Sequence, residues 1–144
     1  MKVGFTGTQL GMTNKQKTRF EEWIGISNIT EFHHGDCIGA DEEAHEIVNS
    51  STRDITIIIH PPKDMSKRAF CGKGDEGGSI LFKPEKPYLD RNHDIVRAST
   101  VLIACPKKIY EETRSGTWAT IRHAKKCGVM VLIIWPDGLM ERWS

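Results

Sequence analysis

Short, almost unbroken apolar runs alternate along this chain with segments of helical periodicity, and that alternation restricts the fold more than any other feature. The runs are Val3–Thr6, Ile29–His33, the DITIIIH stretch at 54–60, Val101–Ala104 and Val129–Trp135. Between them lie helical patterns that begin after Thr13, at Ala40, near Leu89 and at Ser115. A strand written as a continuous apolar run is one buried on both faces, as in a parallel sheet. Parallel neighbours need crossover helices, so the pattern predicts an α/β fold: a Rossmann-like three-layer α/β/α arrangement. The sheet is expected to be mostly parallel and five-stranded, with residues 3–6 central and strands near 30–34, 55–60, 101–105 and 129–135. Thr13 and Gln16 form a T-x-x-Q capping box for the first helix, with Phe20, Trp23 and Ile24 on its inward side.

At 144 residues the chain fits one domain, 1–144. A hydrophobic fraction of 38%, a charged fraction of 27% and a net charge of +1 fit a soluble protein with no overall pull toward nucleic acid or membrane. Cys37, Cys71, Cys105 and Cys127 form no C-x-x-C pair and meet no histidine at zinc-ligand spacing. No metal and no cofactor are therefore expected, and reduced thiols in a cytoplasm are. The N-terminal MKVGFTGTQ lacks a signal-peptide core, and no apolar run is long enough to span a bilayer.

The alternation stops at 61–87, which holds four of the six prolines and the sequence CGKGDEGG. It reads as a long loop insertion, a partly mobile flap with a short hairpin around Ser79–Lys83. Lys63, Lys67, Arg68 and Lys73 within it read as a solvated basic surface.

In open parallel sheets, ligands gather at the carboxyl ends of the strands. Gly7-Thr8-Gln9, residues 34–41, the 61–87 loop and residues 106–117 all leave strands at that edge. Ser115-Gly116-Thr117 opens a helix whose unpaired N–H groups and dipole suit a phosphate or carboxylate, although Ser115 also suits a plain N-cap. Gly35 and Gly39 permit a sharp strand-to-helix turn that leaves room for a ligand. Asp36 and Asp41 are candidates to accept ribose hydroxyls, and Asp41 equally to complement a helix dipole. Arg91 suits two charge-assisted bonds to a phosphate or a structural ion pair, and Asn92 beside it orients the adjoining loops. His45 reads as a core histidine.

Three of these segments resemble the SLOG superfamily of Rossmann-like nucleotide-binding domains, which includes the Lonely Guy enzymes and the DNA-processing protein A family. Gly35 to His45, GDCIGADEEAH, is similar to the latter's G-x-A-x-G-x-D-x-x-A-H. Arg91-Asn92 with Ile95 is similar to its R-N-x-x-I, and Ser115-Gly116-Thr117 with Thr120 to its S-G-[ST]-x-x-T. The strand-end position of Gly7, Thr8 and Gln9 adds to what the resemblance implies for Gly35, Asp36, Asp41, Arg91, Asn92, Ser115, Gly116 and Thr117, and together these residues form the expected nucleotide site. Lonely Guy enzymes carry P-G-G-x-G-T-x-x-E, whose glutamate serves hydrolysis of the base–ribose bond; here that position is Thr120, which supplies no acid or base.

The sequence therefore predicts a protein that binds a nucleotide or nucleotide-derived metabolite as a sensor, carrier or sequestering protein. No catalytic residue is assigned. The rival readings are a nucleotide N-glycosidase of the Lonely Guy type and a single-stranded DNA-binding module, the latter disfavoured by the near-neutral charge. Trp135 and Trp143 are candidates for a homo-oligomer interface.

Overall fold

Seven strands form one sheet in the order β4-β3-β2-β1-β5-β6-β7 in the computed structural model, which describes residues 1–72 and 79–143. They are β1 (Lys2–Gly7), β2 (Glu31–His34), β3 (Thr56–Ile59), β4 (Ile80–Phe82), β5 (Val101–Cys105), β6 (Met130–Ile134) and β7 (Met140–Trp143). The four α-helices are α1 (Asn14–Ile26), α2 (Ala40–Asn49), α3 (Tyr88–Arg97) and α4 (Gly116–Lys126). All neighbours are parallel except β6 and β7, and β1 is central. No described helix is long and apolar enough to cross a membrane.

The alternation of β5 shows how the layers assemble. Val101, Ile103 and Cys105 face the core shared with Phe20 and Ile24 of α1 and Ala40, Ala44 and Val48 of α2. Leu102 and Ala104 face the opposite core, with Val96 of α3 and Trp118, Ile121 and Ala124 of α4. Side chains two apart share a face, so a strand that is apolar at every position can serve two helical layers. Phe5, Phe20 and Phe32 meet in the first core with ring centroids 5.4 to 5.9 Å apart.

The expected sheet of five strands is corrected to seven. β7 follows the Pro136-Asp137-Gly138 turn, where Gly138 has φ +86 and Asp137 Oδ1 accepts from the Leu139 N–H. The tight turn returns the chain antiparallel along β6, and M-E-R-W, with half-buried Met140 and Trp143 flanking exposed Glu141 and Arg142, is too short to show a strand period of its own. β4 replaces the expected hairpin: Ile80, Leu81 and Phe82 pair in parallel with Ile57, Ile58 and Ile59.

The described parts of 61–87 are also tied down, contrary to the expected flap; residues 73–78 lie outside the described residues. The anchor is Asp36, fully buried with φ +55. Its carboxylate accepts from the Cys71 N–H at 2.8 Å and pairs with Arg68 Nε at 3.0 Å, and its carbonyl accepts from the Ala69 N–H at 2.8 Å. Arg68 also meets Glu85 and lies over the Phe70 ring, so it is a strap of the loop rather than part of a solvated basic surface.

Candidate functional site

The sheet order reverses between β1 and β5: successive strands run outward from β1 on one side, and the chain then returns to place β5 on the other. Loops leaving the two strands diverge there and open a crevice. A cavity of about 530 Å³ occupies it, walled by the end of β1 and its loop, the β2–α2 turn, the start of α3 and the loop leading into α4.

Each wall is held by local bonding. Thr8 N–H donates to the Cys105 carbonyl at 3.1 Å, and the Thr8 carbonyl accepts from Gly11 and from Ala40, the first residue of α2. Gly39 has φ +91, and a Cβ there would run into the backbone of Gln9. Glu43 of α2 accepts from the Met12 N–H at 2.6 Å and pairs with Lys17 at 2.9 Å, closing the other end of the loop. The β1 loop is thus fixed against α2 before any ligand arrives. Gly35 makes room for the protein itself: a Cβ there would strike the Arg91 guanidinium.

Gly7, Thr8, Gln9, Gly35, Asp41, Arg91, Asn92, Ser115, Gly116 and Thr117 all line this cavity. Asp36 does not. The expectation that it faces a sugar is corrected, because Arg68 and the Cys71 N–H occupy its carboxylate on the loop side.

Two carboxylates line the cavity. Asp41 is 6% exposed, and its Oδ2 accepts from the Gly35 and Cys37 N–H groups at 3.2 Å each. Burial pushes its carboxyl up to about 6, against the pull of Arg91 and the two backbone donors. Glu112 lies near Lys107, 3.9 Å away.

Arg91 is 5% exposed and already well supplied with partners. It donates to the carbonyls of Gly35 and His60, to Asn92 Oδ1 and toward Cys37 Sγ, and its guanidinium lies 5.1 Å from the Tyr88 ring centroid. Burial pushes the Cys37 thiol up to about 11, which keeps it protonated near neutral pH.

At the start of α4, Ser115 Oγ accepts from the Trp118 N–H at 3.3 Å and caps the helix. The first N–H groups of a helix lack intrahelical partners, and those of Gly116 and Thr117 donate to no described residue, which leaves them able to meet a ligand. A Cβ on Gly116 would meet nothing within 4 Å. Thr117 is 8% exposed, yet its hydroxyl bonds to no described residue. The first turn of α4 holds no acidic residue, whereas α2 carries Asp41, Glu42 and Glu43 there and α3 carries Asp90. Thr120 lies away from the cavity, and its hydroxyl donates to the Gly116 carbonyl at 3.0 Å.

Arg114, Lys107 and Tyr88 also line the cavity, and sequence reasoning missed them. Arg114 is adjacent to Ser115, which was the available signal. Lys107 and Tyr88 carry none that separates them from other loop and helix residues.

Among the described residues, one group of ligand-type atoms gathers away from the cavity: His34, His45 and Cys71, all buried. The Asp36 N–H donates to His34 Nδ1 at 3.0 Å, so the neutral ring carries its proton on Nε2 and donates it to His45 Nδ1, also at 3.0 Å. The nitrogen facing the cluster therefore presents a proton, not a lone pair, and His34 and His45 form a hydrogen-bonded pair in the core beside Cys71.

No protein-family model and no curated protein matches the chain. Among solved structures, the X-ray structure of the structural-genomics target TM1055 is similar, with a TM-score of 0.61 at 15% identity. The likeness covers 91% of this chain and 72% of that one and supports the Rossmann-like fold.

Proposed function

We propose that this protein binds a nucleotide or nucleotide-derived metabolite at the β1–β5 crevice, with its phosphate on the start of α4. The observation that carries the reading is the α4 terminus. Its positive end has no acidic residue in its first turn and opens into a cavity of about 530 Å³, with two N–H groups and the Thr117 hydroxyl that bond to no described residue. That volume suits a small-molecule ligand. Phe5, Leu10, Tyr88, Leu89 and Ile95 give the remaining wall apolar area for a flat base, and Asp41 offers an acceptor to ligand hydroxyls.

Calorimetry with a panel of nucleoside 5′-monophosphates tests this. Gly116→Val leaves the fold intact, since its side chain enters open space, and covers the phosphate-binding N–H groups. A fall in affinity of at least about tenfold is expected, the scale of one lost hydrogen bond to a charged group. Equal binding by wild type and folded Gly116→Val, or no binding to the panel, overturns the proposal.

A second reading is hydrolysis of the bound nucleotide. It is favoured by Asp41 alone: a buried carboxyl near 6 is poised to exchange a proton at working pH. Thr120 counts against it. Release of free base from the same panel, lost in Asp41→Asn, distinguishes turnover from binding.

A further inference from the structure

We infer that Arg114, and not Arg91, is the cation that reads the phosphate charge of the ligand, and that Arg122 positions it. The inference rests on the binding proposal above and goes beyond it by naming the residue that sets selectivity for the phosphorylated over the unphosphorylated ligand.

Five guanidinium N–H bonds are all that an arginine has. Arg91 directs its donors at two carbonyls, a side-chain amide and a thiol, and stacks on Tyr88. A group held in that way is part of the wall. Arg114 lines the same cavity, stands next to the N-cap of α4, and directs no donor at any described residue.

The approach to Arg114 is ordered by Arg122, one face of α4 further on. Its guanidinium pairs with Glu111 Oε2 at 2.8 Å and donates to the carbonyls of Glu112 at 3.3 Å and Thr113 at 3.1 Å. Three consecutive residues are thus tied to the helix, and Arg114 follows directly. A free guanidinium beside free helix N–H groups makes a fork for phosphate oxygens. The second, independent sign of a ligand lies in the lining itself: the Tyr88 hydroxyl is buried without a partner among the described residues, and Thr117, more than nine-tenths buried, directs its hydroxyl at none of them.

The test pairs each nucleoside 5′-monophosphate with its nucleoside and measures both affinities for wild type, Arg114→Gln, Arg114→Lys, Arg122→Gln and Arg91→Lys, with melting temperatures for all. Wild type should prefer the phosphorylated partner by about tenfold or more. Arg114→Gln should melt like wild type and lose most of that preference, and Arg114→Lys should recover part of it. Arg122→Gln should weaken the preference less than Arg114→Gln does. Arg91→Lys should melt lower, while its folded fraction keeps the preference. If wild type shows the preference and Arg114→Gln keeps it, this inference fails and the binding proposal stands. If wild type shows no preference, both fail.

Discussion

Asp41 sits in surroundings that cost stability once its carboxyl ionises. Its folded carboxyl lies near 6, above the ordinary value of 3.8, chiefly through burial. A carboxyl raised in this way stabilises the fold fully below the unfolded value, and that contribution is lost as pH rises through 6. At pH 8 the ionised group is therefore a net burden. Asparagine preserves an oxygen to accept from the Gly35 and Cys37 N–H groups and has nothing to ionise. Asp41→Asn should raise stability at pH 8 by on the order of 1–2 kcal/mol, with the gain shrinking toward pH 4. Melting temperatures of both proteins across that range check this. A mutant less stable at pH 8 than at pH 4, relative to wild type, contradicts it.

Between elements, Gln16 joins more than its position in a capping box suggests. Its Oε1 accepts from the Thr13 N–H at 2.9 Å, closing the box. Its Nε2 reaches the carbonyls of Pro106 and Ile134 at 2.9 Å each, just beyond β5 and at the end of β6. One buried amide thus joins the start of α1 to two strand ends and steadies the first residue of the loop that leads to α4. Gln16→Ala leaves these carbonyls unpaired in the interior and should destabilise the fold by about 2 kcal/mol. Chemical denaturation measures that loss, and a change within error of zero contradicts the clamp.

Across the whole molecule, acid sensitivity follows from the histidines inside the sheet. Glu31 accepts from His33 Nε2 at 2.9 Å, which leaves His33 Nδ1 to accept from His60 Nε2 at 2.8 Å. Burial lowers His33, lowers His60 to about 4, and holds His34 well below 6.5. His60 is faced by His33, Lys83 and Arg91, which oppose its protonation, and by Asp94, which favours it. A lowered folded value means that stability is fully present above 6.5 and is lost as pH falls toward 4. Asp41 acts in the opposite direction over part of this window, one group against three. The melting temperature should therefore fall between pH 6.5 and 4, and His60→Gln should flatten that fall. An unchanged slope in the variant contradicts the assignment.

Local pattern alone determined the parallel core: five apolar runs, each separated by a helical period, and the capping box at Thr13 and Gln16. Those features depend on neighbours within a few residues, so a sequence displays them. The same is true of the Gly116 opening of α4, since a helix start is a local event. What only the tertiary structure decided depends on partners far along the chain. Arg91 and Arg114 are chemically alike in sequence, and packing against Gly35 and His60, 56 and 31 residues away, occupies one and leaves the other free. Asp36 looked as able to face a ligand as Asp41, until Arg68 and Cys71, 32 and 35 residues on, took its carboxylate. β4 and β7 depend likewise on the strands they join, with exposed Leu81 and Phe82 in one and exposed Glu141 and Arg142 in the other, so their pairing is written in the sheet and not in their own composition.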